Sequence, residues 1–370
     1  MRLIHCADIH LDSRMTANFD KTKAAERRAE LLNTFVRMVR FAEKNEVSAI
    51  LIAGDMFDTS EVSALTRNIV LDTIANTSDI TFFYLKGNHD RDGFIDSLQT
   101  VPANLKLFGN EWISYKVADD SNVIVTAIEL SADNAAGCYD ALSLNADDIN
   151  IVMMHGQEMN SKPGDNAECI NIRDLQGRYI DYLALGHVHS FKKIRLDGRG
   201  VYCYPGCLEG RGFDEPGHHG FVLLEIDEST REVNRRFVPF ASRELVTLKV
   251  NISECINTAE IITRIEDSLM EKPVEAKNLL EIVLHGETDV ECEKNLEFIK
   301  KRFESEFYFV KISDRSGLKL DYEAYKHDES LKGEFVRKVM ESDELSQSEK
   351  MEVLKFGFKA ISGEEIDICD

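Results

Sequence analysis

Five short apolar runs punctuate the first 190 residues, and each stops at a group of Asp, Asn or His. The runs cover residues 3–7, 49–53, 82–85, 151–154 and 182–185. Runs of this length, rich in branched and aromatic side chains, predict buried strands. Residues 22–45 instead carry Leu31, Leu32, Phe35, Val36, Val39 and Ala42 at helical spacing. That stripe predicts a long amphipathic helix with its apolar side on the core, and 61–78 reads as a second. Short strands follow between about 191 and 240, including Tyr202, residues 221–226 and Phe237. From Arg243 the pattern becomes strand 245–250, helix 257–271, strand 279–284, helix 289–303 and strand 307–312. After Arg315 the chain turns polar and acidic, and helices are expected at about 330–341 and 346–361. Their apolar positions are Leu331, Phe335, Val336, Val339, Met351, Leu354, Phe356 and Phe358. The expected division is therefore 1–242, 243–315 and 316–370, an α/β body, a small α+β unit and a helical tail.

The residues that close the five runs carry the chemistry. They are Asp8-Ile9-His10, Gly54-Asp55-Met56-Phe57-Asp58, Gly87-Asn88-His89-Asp90, His155-Gly156 and Gly186-His187-Val188-His189. Loops at the carboxyl ends of strands are where open α/β sheets place their sites. Two divalent cations roughly 3.5–4 Å apart can clamp a phosphodiester and produce a nucleophile near neutral pH. A carboxylate suits the bridging position because it is anionic and has two oxygens. Imidazole suits Mn, Fe and Zn, and adds no negative charge to repel a phosphate. A set rich in His with one Asn points to Mn²⁺, with Fe or Zn²⁺ as alternatives. The lack of Cys among the candidates argues against a structural zinc site. A single His beside an apolar run is ordinarily a core or surface residue. His5, His285 and His327 are read that way, and His218-His219 as solvated loop.

Taken together, these motifs resemble the calcineurin-like metallophosphoesterase superfamily. Ala7-Asp8-Ile9-His10-Leu11-Asp12 and the stretch 182–189 are similar to its SbcD-like DNA-repair nucleases. Residues 204–215, Gly333-Glu334-Phe335-Val336-Arg337 and the run 360–365 are similar to the YhaO-like, Gram-positive type. The resemblance implies a two-sheet α/β sandwich with a small capping domain and C-terminal helices. It implies Asp8, His10 and His189 on one metal, Asn88, His155 and His187 on the other, and Asp55 shared. His89 would face the phosphate as an acid or transition-state stabiliser, a role that suits an imidazole, and Asp90 would orient its ring. Asp58 departs from members that have His there. The resemblance further implies DNA as substrate, 3′→5′ exonuclease with endonuclease activity, a coiled-coil SbcC-like ATPase docked on the terminal helices, and a homodimer. The other readings are a cyclic-nucleotide phosphodiesterase and a DNA-end-binding scaffold with little turnover. The cap and tail argue against the first, the complete ligand set against the second.

Composition adjusts this picture in two places. The net charge of −22 is unfavourable for gripping DNA alone, because phosphate neutralisation needs a basic face. Bound cations and the basic residues Lys192, Lys193, Arg195, Arg199, Arg211, Arg235 and Arg236 soften it. Among these, Lys192 and Lys193 are expected to flank the cleft and Arg211 to approach a phosphate, whereas Arg27-Arg28 reads as a solvated face. Eight scattered Cys without a CxxC read as reduced thiols. With no signal peptide and no 18-residue apolar stretch, the expectation is a cytoplasmic protein without a membrane span.

Overall fold

The computed structural model of the protein describes residues 1–16, 19–58, 62–90, 94, 100–135, 137–159, 168–289, 292–319, 325 and 327–362. Two compact units divide at Glu244 and Leu245. In the first unit two six-stranded sheets stack face to face. One runs β14 (Glu232–Pro239), β13 (Gly220–Asp227), β1 (Arg2–Cys6), β2 (Ala49–Ala53), β3 (Thr81–Leu85), β4 (Leu105–Leu107). The other runs β11 (Lys192–Arg195), β12 (Val201–Tyr204), β10 (Tyr182–Gly186), β7 (Ile149–His155), β6 (Val123–Ala127), β5 (Ile113–Lys116). The architecture is the two-sheet α/β sandwich.

Strands β1, β2 and β3 are parallel neighbours, as are β6, β7 and β10. Alternate residues divide between the faces. Leu3, Leu51, Phe83, Val125, Ile151 and Ala184 meet in the core between the sheets. Val152, Met154, Leu183 and Leu185 pack on the opposite face of the second sheet with Ile170 and Leu175. Burial on both faces is why β2 reads as the unbroken run Ala-Ile-Leu-Ile-Ala. Helix α1 (Lys21–Lys44) begins where Asp20 accepts from the amides of Thr22 and Lys23. It buries Leu31, Phe35, Met38, Val39 and Ala42, so the expected stripe faces the core. Helix α2 (Ala64–Ala75) is shorter than the expected 61–78, because Ser63 caps it; residue 61 lies outside the described residues. The parallel pair β8 (Gln157–Met159) and β9 (Cys169–Asn171) and the short helices α3 (Cys138–Ala141) and α4 (Ile172–Leu175) complete the described part of the unit.

The second unit opens with the parallel sheet β15 (Leu245–Asn251), β16 (Leu279–His285), β18 (Phe309–Asp314). Helices α5 (Thr258–Glu271) and α6 (Leu296–Glu304) bury Ile261, Ile265, Ile299 and Phe303 against Leu248, Val250, Leu280 and Ile282. Helix α6 starts seven residues later than the expected 289. Residues 287–289 instead form strand β17 (Glu287–Asp289) beside β19 (Gly317–Lys319), and Asn295 caps the helix by accepting from the Phe298 amide. Residues 290 and 291 lie outside the described residues. Helices α7 (Leu331–Met340) and α8 (Gln347–Ser362) pack on each other through Val336, Val339, Leu354 and Phe358. Leu331, Val353 and Phe356 remain exposed. Residues 363–365 of the similar C-terminal run lie outside the described residues.

Candidate metal centre

All five motifs converge at the carboxyl ends of β1, β2, β3, β7 and β10. The loops after β1 and β2 continue to pair beyond the sheet. The amide of Asp8 donates to Gly54 O at 3.1 Å, His10 to Asp55 O at 2.9 Å and Leu11 to Met56 O at 2.9 Å. This ladder holds Asp8, His10 and Asp55 at φ of 49°, 50° and 50°, and His187 stands at 103°. Such left-handed backbone costs of order 1 kcal/mol or more per residue outside glycine and persists only where the surroundings over-determine it. The two sheets nearly touch here. A Cβ on Gly186 would lie 1.9 Å from Ala53 O, so no larger residue fits. His155 Nδ1 meets the same carbonyl at 2.9 Å.

Within this junction all seven expected ligands come together. Ligand atoms of Asp8, His10 and His189 lie within 4.8 Å of one another, as do those of Asp8, Asp55 and His155. Asp55 Oδ1 accepts from the His89 amide at 2.9 Å. Its Oδ2 stands between the halves, 3.8 Å from His10 Nε2 and 3.4 Å from His155 Nε2. Asn88 Oδ1 faces His155 Nε2 at 3.0 Å and His187 Nδ1 at 3.2 Å. His10 Nε2 and His189 Nε2 face each other at 3.2 Å. On the far side of those two rings stand carboxylates. Glu215 Oε1 is 2.7 Å from His189 Nδ1. Asp58 Oδ1 is 3.0 Å from His10 Nδ1, although too far off its N–H axis for an aligned hydrogen bond. Glu215 thus turns Nε2 of His189 inward to face Nε2 of His10, and a cation between two ring nitrogens can take a lone pair from each. The donor set of imidazoles, buried carboxylates and one amide oxygen thus fits divalent metal.

Packed this closely, the same groups shift one another's protonation in the metal-free site. Burial pushes the Asp8 carboxyl up. Burial also acts on Asp55, but hydrogen bonding and charge from His155, with His10 and the His89 amide, outweigh it and hold Asp55 below the ordinary carboxylate range. Its partner His155 rises to about 9, burial being overcome by the Asp55 carboxylate.

A calcineurin-like phosphoesterase profile matches residues 1–191. The chain belongs to that family. Three curated relatives share 24 % of aligned residues each. They are a DNA double-strand break repair protein Mre11 of Methanosarcina mazei, the uncharacterized metallophosphoesterase YhaO of Bacillus subtilis, and the SbcD component of the nuclease SbcCD of Staphylococcus epidermidis. The alignments cover 69 %, 72 % and 69 % of this chain, and 41 %, 67 % and 74 % of the relatives. This chain therefore spans about two fifths of the Methanosarcina protein's length. As a phosphoesterase it is a hydrolase with a site suited to two divalent cations.

Several neighbours of this phosphoesterase site differ from the sequence expectation. Asp90 does not reach the His89 ring. Its carboxylate accepts from the amides of Met56, Phe57 and Gly87 at 3.1, 2.8 and 3.0 Å. It staples the second and third motif loops together, and burial raises it to about 6 against those amides. The carboxylate beside the ring is Asp58, 3.6 Å from His89 Nδ1. Burial would raise Asp58, but contact with His10 and the charge of Arg211 bring it to about 2. Arg211 turns to Asp58 and Glu215, not to open solvent where a phosphate would sit. Lys192 pairs with Glu158. Arg27, expected on a solvated face, is buried and donates to Glu209, Gly210 O and Glu30. His219, expected in solvated loop, is buried between Cys207 Sγ and Glu215 O, while His218 is exposed beside Glu244. Glu215 and Arg27 were not legible as site supports, since each acquires its role from a partner distant along the chain.

Proposed function

We propose that this protein is a metal-dependent DNA nuclease acting in double-strand-break repair, with a coiled-coil ATPase as partner. The observation that carries this reading is the convergence of six donor side chains around the Asp55 carboxylate, with His89 left on the open side, its side chain 46 % exposed. The names of the Methanosarcina and Staphylococcus relatives support the choice of DNA. Asp8, His10 and His189 would hold one cation, Asn88, His155 and His187 the other, and Asp55 both. When bound, the two cations supply Lewis-acid charge at the phosphate and acidify the attacking water; Mn²⁺ is the proposed metal, with Fe or Zn²⁺ as alternatives. His89 faces the phosphate and passes a proton to the leaving oxygen. Asp58, beside Nδ1, orients that ring. Asp90 acts at one remove, by fixing the loop that carries Asn88 and His89.

The polarity is proposed to be 3′→5′, with endonucleolytic cutting alongside. The strong acidity of the chain supports an ATPase partner that supplies part of the DNA affinity, docked on α7 and α8, whose Leu331, Val353 and Phe356 are exposed. A homodimer and a cytoplasmic location complete the reading. Among the described residues no helix is long and apolar enough to cross a membrane, and the described cysteines are free thiols. Duplex DNA labelled at either end, incubated with the purified chain and Mn²⁺, tests the function. Nucleotides should leave from the 3′ end in Mn²⁺ and not in EDTA. Turnover of a cyclic nucleotide without cleavage of DNA would overturn the assignment in favour of a small-substrate phosphodiesterase.

A further inference from the structure

Glu215 lies on the segment that joins β12 to β13, outside the five motifs, and is buried against His189. Its Oε1 is 2.7 Å from His189 Nδ1 and accepts from Arg211 Nη2 at 2.8 Å. Its Oε2 accepts from the Arg211 amide at 2.8 Å. Arg211 Nη2 also lies 3.2 Å from His189 Nδ1, so the imidazole nitrogen faces an anion and a cation at once. The shorter contact decides its state. A carboxylate oxygen can only accept and a guanidinium can only donate, so two donors, Nδ1–H and Nη2–H, converge on the single oxygen Oε1. Nδ1 therefore carries a proton, which leaves Nε2, the nitrogen that faces His10, as the one to meet a cation.

We propose that Glu215 is a positioning residue for the metal centre, fixing both the ring orientation and the tautomer of His189, and that Arg211 holds Glu215 in place while tying it to Asp58. This rests on the reading of His189 as a metal ligand. Arg211 Nη1 donates to Asp58 Oδ1 at 3.1 Å, so one guanidinium spans the carboxylates behind His189 and His10. Its charge compensates both anions, which lets them be buried without an unpaired charge. The segment is pinned on both flanks. Arg27 of α1 donates to Gly210 O at 2.8 Å, and Thr34 to Glu209 at 2.7 Å. On the other flank His219 Nε2 is 2.9 Å from Glu215 O, while the Cys207 amide donates to His189 O at 3.1 Å. Helix α1 thus braces, through buried charge, the loop that aims a ligand from the opposite sheet.

Outer partners of this kind typically change metal affinity by about 10–100-fold. The test titrates Mn²⁺ into the full chain by calorimetry and reads two binding events. In Glu215→Gln one ion should weaken about 10–100-fold while the other binds as before. Histidine-selective ¹⁵N spectra of the metal-free protein should show His189 protonated at Nδ1 in the wild type, with that preference lost in the variant. Arg211→Gln, which leaves the Glu215 carboxylate present but releases it, should weaken the same ion by a smaller factor, and it carries the test if Glu215→Gln does not fold. Two ions bound by the variants with wild-type affinity would overturn the proposal. So would an equal loss at both ions, which would make Glu215 a general structural residue. A wild-type chain that binds no pair of ions would instead overturn the metal reading beneath it.

Discussion

Both units place loops at the carboxyl ends of parallel strands, yet among the described residues only the first gathers reactive groups there. In the second unit, Asn251 at the end of β15 accepts from the amide and hydroxyl of Ser253, and Asp314 at the end of β18 accepts from those of Ser316. These acceptors are taken up within the unit, Asp314 Oδ2 by Lys294. The turn after β16 takes its left-handed residue as glycine, Gly286. In the first unit the corresponding turns force Asp8, His10, Asp55 and His187 into left-handed backbone and leave Asp55 Oδ2 to the His rings. Among the described residues, every non-glycine residue with positive φ lies before Leu245. Topology thus supplies a place, while chemistry requires strain and unspent acceptors, both of which a ligand must compensate.

The contrast can be broken most forcefully at Asp55. Asp55→Asn removes the shared negative charge, so both Mn²⁺ ions should be lost in calorimetry and DNA cleavage should fall below detection; retention of one tight ion would show that the halves do not share it. Next in size is His89→Ala. It should keep both ions while turnover falls by roughly 10²–10⁴-fold, and near-normal rates would remove His89 from the chemistry. Third, Mn²⁺ should stabilise the first unit selectively, by about 2.7 kcal/mol at a hundred times the dissociation constant. Hydrogen exchange should slow in the loops around residues 8–11, 55–58 and 187–189 and stay unchanged over 245–319; equal protection in both units would erase the contrast.

Acid offers a smaller effect away from the metals. Burial lowers His5 to about 3, below its unfolded value. The unfolded chain therefore takes up the proton first as pH falls, and the stability contributed by neutral His5 is complete above about 6.5 and lost progressively down to about 3. By pH 4.5 the loss should be roughly 2 kcal/mol, read as a fall in urea midpoint of the metal-free protein. His5→Asn, which can keep a bond to Tyr182, should flatten that slope; an unchanged slope would clear His5 of the effect. Truncation after Arg315 should change least. Nuclease turnover on simple duplex should stay the same while co-purification with the ATPase is abolished, and full-affinity binding by the truncated chain would move the docking surface elsewhere.

The sequence made the strands of the first unit and the ligands at their ends legible, because both are local signals. Ile50-Leu51-Ile52 announces a doubly buried strand, and Asp55 follows it directly. The unit after Leu245 was legible for the same reason, apart from the late start of α6, where a cap at Asn295 overrode helical propensity. The supports were hidden. Arg27 looks like half of an exposed basic pair until Glu209, 182 positions away, meets it. His219 sits after a Pro-Gly turn that suggests solvent, yet packs on Cys207. Asp58, and not the expected Asp90, stands beside the His89 ring, because adjacency to His89 along the chain says nothing about which carboxylate faces the ring and which faces the amides.

The pairing of β1 also dictates a schedule for synthesis. Its outer neighbour β13 joins Arg2 to Glu225 and His5 to Val222, so the earliest strand of the unit is flanked on one side by nearly its last. At roughly 5–20 residues per second, the nascent chain carries Asp8 and His10 for some 10–40 s before that partner emerges. All seven candidate ligands, His189 the last of them, precede β13 along the chain, so they are made while one edge of β1 is still open to wrong partners. Closure of the first sheet around β1 is consequently among the last steps in assembling the unit.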